Sequence, residues 1–381
     1  MRYLLLRMKR FCGFITGFVF FVSGILKLMD PVGTGLIIKE YLDFMHIGFL
    51  EPAAKAFGAA LALAETILGT CLITGVWRRI VTPITLGLQL FFTLITLILI
   101  IFQPAMDCGC FGEAIHLSHE ETFIKNLILL ALLLIYYIPA KHLGETKRRK
   151  YISFSIVTIS IILFMIYSWA YLPLREFTDY KPGLSLKRNS EEVAYDAVFV
   201  YEKDGVRETF PLENLPDSTW TFISAQTEVK SGEESGRSLS FYDRNGEYAD
   251  SLATNEKVIV ISVYNTGLSE KKWKLIDTFI SNVEKAGFKA LLITSAPIEG
   301  RNSYTADYKT LLTLNRSNGG ATYFQDGFLI SKWSMRGYPD LTELENIYSE
   351  DVIEGIIGKE TQESLTFQAF LLYVFAVMLL L

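Results

Sequence analysis

Cys108-Gly109-Cys110 stands at the end of a long apolar run, inside Asp107-Cys108-Gly109-Cys110-Phe111-Gly112. Two thiols one glycine apart can close into a small disulfide ring, which is strained and readily reduced. The thiolate is the active species in such exchange. His116 and His119 are near enough in sequence to supply positive charge or to take a proton. Three readings of the pair stay open: a redox couple, a structural disulfide or idle thiols at a helix end, and a Cys/His metal site. The spacing matches no common zinc pattern, so no metal is expected.

Two further groups could do chemistry. Glu65 falls near the middle of an apolar stretch, where charged side chains cost roughly 2.5 to 3.5 kcal/mol on insertion scales. It should face a helix-bundle interior, paired or protonated, as a proton-handling group or as a structural pin. Lys27 is the available cation, although it lies nearer a surface and could snorkel to headgroups. Cys12 and Cys71 should both lie toward the opposite end of the bundle, as small buried residues or as a second pair.

These residues must be positioned by membrane helices. The chain has 381 residues, 50% of them apolar and clumped, with a net charge of -5. That balance makes nucleic acid an unsuitable partner and the lipid bilayer the expected one. Six segments approach the ~20 residues that a helix needs to cross the hydrocarbon core: Phe11–Leu28, Ala53–Val76, Ile80–Phe102, Thr122–Ile138, Tyr151–Leu172 and Ser364–Leu381. Lys27, Asp30 and Pro31 follow the first where a leader would carry a small-residue cleavage site, so it reads as an anchor. Asp30-Pro31 should end that helix, and Asp30–Pro52 should lie along the outer surface as a short helix.

Basic residues set the orientation. Arg2, Arg7, Lys9 and Arg10, then Arg78 and Arg79, then Lys141 and Lys147 to Lys150 fall on one side, which the positive-inside rule makes cytoplasmic. The 103–121 loop has no Lys or Arg and falls on the other side, with Cys108 and Cys110 in the oxidising compartment. The region 173–363 faces it too, and contains no cysteine.

That region should alternate strands and helices. Ala197–Glu202 and Val206–Phe210 flank Lys203-Asp204-Gly205 as a hairpin, and Ser238–Asp243 and Glu247–Asp250 flank Arg244-Asn245-Gly246 as another. A buried strand, Lys257–Tyr264, leads to an amphipathic helix, Glu270–Ala286, with Gly287 as its cap. Then come a strand at Lys289–Thr294, a helix near Ala306–Asn315, and a final hairpin of Ala321–Gln325 and Phe328–Trp333. Lys332-Trp333 should close the last strand and offer part of a partner surface. This order suggests an α/β sandwich of the thioredoxin type.

The first 140 residues resemble the MauE/DoxX family of bacterial membrane proteins. The resemblance rests on Ser23-Gly24-Ile25-Leu26-Lys27-Leu28-Met29-Asp30-Pro31, Glu40-Tyr41-Leu42, Glu65 with Leu68-Gly69, Asp107–Gly112, and Phe123, Lys125 and Asn126. It implies a four-helix bundle and an association with disulfide formation or quinone-linked sulfur redox chemistry. The whole chain resembles that family fused to a thioredoxin-like domain, on Pro211–Trp220 and Asn315–Trp333 with Arg316-Ser317-Asn318. Where thioredoxins place Cys-x-x-Cys, this chain has Tyr264-Asn265-Thr266-Gly267-Leu268-Ser269. Where they place a cis-proline, it has Gly319 and Gly320. The domain is therefore expected to do no thiol chemistry.

The expected architecture is an α-helical membrane protein with an inserted α/β extracytoplasmic domain. It divides into a four-helix bundle (1–140), a basic linker and fifth helix (141–172), a periplasmic thioredoxin-like domain without CxxC (173–363) and a last membrane helix (364–381). The expected setting is the bacterial inner membrane, with the N-terminus cytoplasmic. The expected function is thiol–disulfide or quinone-linked exchange with a periplasmic or membrane protein partner through Cys108 and Cys110, with Glu65 in a proton or structural role. No cofactor fingerprint is evident. A quinone is the natural carrier in a membrane, and Tyr41, Gln89, Phe91 and Phe92 could line its pocket or simply pack. The alternative is a non-catalytic subunit of a membrane assembly, with the sheet domain as its interaction module.

Overall fold

The computed structural model describes residues 2–104, 106, 108–137, 146–186, 195–203, 206–211, 220–229, 238–350 and 352–380, with only the backbone path for 2–5, 195–203, 206–211, 221–229, 352–354, 360 and 380. Asp107, Ile138, the linker residues 139–145, Asp204, Gly205, residues 212–219 of the Pro211–Trp220 motif, and Leu381 lie outside the described residues.

Helix α1 (Arg2–Met29) stops where Asp30-Pro31 stands. Proline disfavours helical backbone in the residue before it and brings no N–H of its own. Asp30 then opens α2 (Pro31–Phe44), accepting the Gly33 N–H at 2.8 Å with Pro31 in the first helical turn. The expected surface helix is thus found, but Pro31 and Gly33–Ile37 are buried. A 3-10 turn (Gly48–Ala53) leads into α3 (Ala54–Thr74), and left-handed Gly75 ends it. α4 (Arg78–Phe102), the short β1 (Cys110–Glu113), α5 (His119–Tyr137) and α6 (Arg148–Ala170) follow.

α1 packs on α3 and α5, α4 packs on α5, and α2 and α6 lie against α3. The α1–α3 contact is backbone-close: a Cβ on Gly24 would lie 2.1 Å from Thr66 Oγ1. Small residues allow this approach, which is how membrane helices associate without a hydrophobic drive between them. Thr66, Thr70 and Thr74 return their hydroxyls to carbonyls four residues back, so no buried hydroxyl on that face of α3 lacks an acceptor. α4 turns Ile80, Ile84, Leu94, Ile98 and Ile101 outward, as a lipid-facing helix must.

Five helical segments are long and apolar enough to cross a membrane: Leu6–Met29, Gly48–Thr74, Arg78–Phe102, Arg148–Ala170 and Gly355–Leu379. The chain is a multi-pass membrane protein. α5 starts with Glu120 and Glu121 and carries Lys125, so its described apolar length is shorter. The last helix, α11 (Val352–Leu380), begins well before the expected Ser364. Lys359, Glu360 and Glu363 hid its start in the sequence, but charges interrupt hydropathy without interrupting a helix. One end of the bundle gathers Cys12, Cys71, Val76, Val81, Tyr136 and Phe154. The basic segments at the starts of α1, α4 and α6 share that end, opposite the CGC loop.

The remaining elements form two sheets. β2 (Tyr195–Lys203), β3 (Val206–Pro211) and β4 (Thr221–Val229) make an antiparallel sheet in the order β3-β2-β4. The second sheet contains β5 (Lys257–Val263), β6 (Lys289–Thr294), β7 (Tyr304–Thr305), β8 (Gly320–Gln325) and β9 (Phe328–Trp333). Its order is β7-β6-β5-β8-β9, with β5 parallel to β6 and antiparallel to β8. Alternation splits β5 between two cores: Val258 and Val260 on one face, Ile259, Ile261 and Val263 on the other. α8 (Glu270–Lys285) and α10 (Leu341–Ser349) cover the second face. α9 (Tyr308–Leu314) and the short α7 (Ser251–Thr254) cover the first.

The hairpin expected over Arg244–Gly246 is reduced to a single bridge, Tyr242 with Tyr248. Asp250 is the reason. Its carboxylate accepts the N–H groups of Leu239, Ser240 and Phe241 at 2.7 to 3.0 Å, which takes donors from any ladder there. Lys332, expected at a partner surface, is instead buried against Glu176 at 2.5 Å. Burial pushes its pKa below the usual lysine range, with Glu176 opposing the shift.

Candidate functional site

The site forms where the second halves of α1 and α4, the first halves of α3 and α5, α2 and the CGC loop converge. Ser23 and Lys27 lie four residues apart on one face of α1, so both reach the same point. Lys27 Nζ is 2.7 Å from Glu65 Oε2, with both residues buried, at 5% and 2% exposure. Lys27 therefore does not snorkel. Its three protons meet three acceptors: Glu65, Ser23 Oγ at 2.8 Å and the Cys110 carbonyl at 2.6 Å. The Ser23 hydroxyl has one proton and two acceptors in reach, Glu65 at 2.8 Å and the same Cys110 carbonyl at 2.6 Å.

The other cysteine is held from α2. Tyr41 donates its hydroxyl to the Cys108 carbonyl at 2.9 Å. Gly109 between them has φ +61, and a Cβ there would lie 2.4 Å from Ile37 Cγ2. Only glycine meets both conditions. All four cysteines are free thiols in this structure, Cys108 buried and Cys110 half-buried.

Cys108 and Cys110 line an apolar cavity of about 220 Å3 within the bundle. Its wall also includes Tyr41, Glu65, Gln89, Phe91 and Phe92, so the structure brings these sequence candidates to one place. Gln89 donates to the Asn126 carbonyl at 3.0 Å, and Asn126 donates to Thr96 Oγ1 at 3.3 Å, which places amides in an otherwise apolar wall. Phe91 and Met45 line the cavity and are also exposed on the bundle surface, so it reaches the face between α2 and α4. Ser23 and Asn126 entered the sequence reading only through the family resemblance, and Thr34 and Thr96 were not singled out. Gln89, Thr93 and Thr96 follow helical spacing in an apolar run, a polar stripe that could have marked this wall.

Other candidates lie elsewhere. His119 Nε2 is 3.0 Å from the Met106 carbonyl, and His116 is exposed; neither lines the cavity. Cys12 and Cys71 share a buried cluster at the opposite end. Among the described residues, no group of three or more His, Cys, Asp or Glu could hold a metal ion.

The sheet domain reaches the same end of the bundle. Arg316 Nε lies 3.0 Å from Asp30 Oδ2, and its NH2 group lies 3.6 Å from Glu113 Oε2 at the end of β1. Burial works against the Arg316 charge, but Asp30, Glu113 and Glu176 outweigh it and raise the pKa above the usual arginine value. Lys309 pairs with Glu40 at 2.7 Å, and the Lys39 ammonium lies 4.6 Å from the centre of the Tyr308 ring. The loop after β5 faces this junction: Tyr264 donates to the Arg316 carbonyl at 3.2 Å, and Asn265 and Asn318 exchange hydrogen bonds at 2.8 and 3.0 Å.

Residues 2–139, from α1 through α5, match the family described as "Methylamine utilisation protein MauE". Residues 195–231, the β2–β4 sheet, match a family described as a domain of unknown function, DUF8463. The chain is similar to "Protein TlpB" of Flavobacterium psychrophilum, at 27% identity over 157 residues, covering 40% of this chain. It spans 42%, under half, of that relative's length. No solved structure matches the chain. The helices that flank the CGC loop are thus a MauE-like unit within a multi-pass membrane protein.

Proposed function

We propose that this chain exchanges electrons between protein thiols and the membrane through Cys108 and Cys110. One observation carries the reading: both cysteines line an apolar cavity inside a membrane bundle, beside a buried Lys27–Glu65 pair. A structural disulfide has no need of such a cavity. Phe91 and Phe92 offer apolar walls that fit a flat lipophilic ring, while Tyr41, Gln89 and Asn126 add polar groups whose donors are already given to acceptors within the protein. Bound there, a quinone would supply an acceptor for two electrons and two protons.

On the protein side, the Cys108 and Cys110 thiols each lose a proton, one S–S bond forms and two electrons leave the pair. The disulfide then exchanges with a partner dithiol. The partner's two thiols become a disulfide, and Cys108 and Cys110 return to thiols. We place the CGC loop and the sheet domain in the periplasm, because the basic segments gather at the opposite end of the bundle. The sheet domain reads as thioredoxin-like: the order β6-β5-β8-β9, with α8 linking parallel β5 and β6, supports it. With Tyr264–Ser269 and Gly319-Gly320 in place of the redox residues, its role is to hold a partner.

A second reading, a non-catalytic assembly subunit, is favoured by one observation: the Arg316 edge of the sheet domain is spent on docking to Asp30 and Glu113. The double variant Cys108→Ser with Cys110→Ser decides between them. Exchange activity requires that thiols of periplasmic proteins shift in redox state in that strain. An unchanged thiol profile and unchanged growth would leave the subunit reading.

A further inference from the structure

The contacts of Lys27 go beyond those of an interhelical pin. A pin between α1 and α3 needs only the Lys27–Glu65 pair. Here the ammonium also donates to the Cys110 carbonyl at 2.6 Å, and Ser23 can donate to the same oxygen at 2.6 Å. The intramembrane charge therefore touches the loop at the cysteine itself. On the other side, Tyr41 holds the Cys108 carbonyl at 2.9 Å. Between them, Gly109 is fixed at φ +61 against Ile37. The turn that separates the two sulfurs is clamped at both carbonyls and at its middle residue.

A disulfide forms only when its two sulfurs come to about 2.05 Å in a narrow range of torsion. In a free chain, most conformations of a Cys-Gly-Cys turn miss that geometry. Holding the backbone in one conformation removes that loss in advance. We propose that Lys27 is the positioning residue of the Cys108–Cys110 pair, with Glu65 orienting its ammonium so that the Cys110 carbonyl is held for ring closure. This rests on the reading of the two cysteines as the exchanging pair, and it assigns the buried charges a task in that exchange.

The test is the thiol–disulfide equilibrium of the full chain in detergent, in glutathione buffers, read by maleimide mass shifts on Cys108 and Cys110. In each buffer, glutathione disulfide takes two electrons and two protons from the pair to give two glutathione molecules and the ring. Lys27→Met alone leaves Glu65 buried without its partner and could fail to fold, so the main variant is Lys27→Met with Glu65→Gln. Ser23→Ala is the second variant, since it removes one donor and keeps both charges.

The ring should become at least tenfold less stable in the double variant, about 30 mV for this two-electron couple, with thermal melting near that of wild type. Ser23→Ala should move the equilibrium about threefold in the same direction. A folded double variant whose equilibrium matches wild type overturns the positioning role. If the double variant cannot be purified, an unchanged Ser23→Ala equilibrium overturns it. A wild-type pair that stays reduced across the whole buffer range also overturns it. The exchange reading fails separately, through an unaltered cellular thiol profile in the double serine variant.

Discussion

Arg316 of the sheet domain and Asp30 between the first two helices form an ion pair at 3.0 Å, with side-chain exposures of 1% and 3%. Asp30 uses its other carboxylate oxygen to cap α2. One side chain thus ends a membrane helix, starts the next and receives the sheet domain. Glu113, three residues after Cys110, shares the guanidinium. Gly33 leaves room for the cluster, since a Cβ there would lie 2.3 Å from Asp30 Oδ2.

The first prediction concerns this junction. Arg316→Met leaves the buried Asp30 carboxylate without its guanidinium partner, and breaking a buried pair by removing one partner costs roughly 3 to 5 kcal/mol. Thermal melting in detergent should fall, and the sheet domain should become more sensitive to protease. Arg316→Met with Asp30→Asn should recover much of the loss, because an uncharged pair strands no charge. Equal melting of wild type and Arg316→Met would show that the contact carries no stability.

A second prediction separates the structural and chemical roles of Glu65. Glu65→Ala strands the Lys27 ammonium and opens a void between α1 and α3, so the membrane level of the protein should drop. Glu65→Gln keeps the volume and an acceptor for Lys27, and its level should stay near wild type. Quantitative immunoblots of isolated membranes check both. If Glu65→Ala accumulates normally but thiol exchange is lost, the carboxylate acts chemically rather than as a pin.

These two sites differ in how far the sequence disclosed them. Glu65 interrupts an apolar run, so its burial and its need for Lys27 could be read from hydropathy and cost alone. The strands Lys257–Val263 and Lys289–Thr294 were equally plain, because β-branched residues in short apolar runs bounded by turn residues leave a local mark. The contact of Arg316 with Asp30 left none: both residues stand in motifs read from the sequence, but their meeting depends on how two units dock. The cavity was half visible. Tyr41, Gln89, Phe91 and Phe92 were candidates by type, but Ser23 and Asn126 matter through contacts with other helices that periodicity does not record. The Arg244–Gly246 hairpin closes but stays short for a local reason, since Asp250 captures backbone donors that a longer ladder would use.

A third prediction tests the turn between the cysteines. Gly109→Ala forces a side chain into left-handed backbone, a cost of roughly 1 to 2 kcal/mol, and drives its Cβ into Ile37. Ring closure in glutathione buffer should weaken. Ile37→Ala in the same chain removes the clash but not the backbone cost, so it should restore only part of the effect. Full restoration would mean that the clash alone matters; no restoration would mean that the backbone alone does.

The last prediction addresses the cavity. Its volume is about 220 Å3, and Ile95 and Leu129 stand in its wall. Leu129 is buried, so a larger side chain there would strain the α4–α5 packing as well as fill the space. Ile95→Trp is the better choice, because it adds bulk from the α4 side of the cavity. If the space holds a lipophilic acceptor, this variant should block reoxidation of reduced Cys108 and Cys110 in membranes supplied with a soluble quinone. Oxidation by glutathione disulfide, which reaches the thiols from water, should be preserved. Loss of both reactions would point to a misfolded loop. Retention of quinone-dependent reoxidation at the wild-type rate would show that electrons leave the pair by a route that does not cross this cavity.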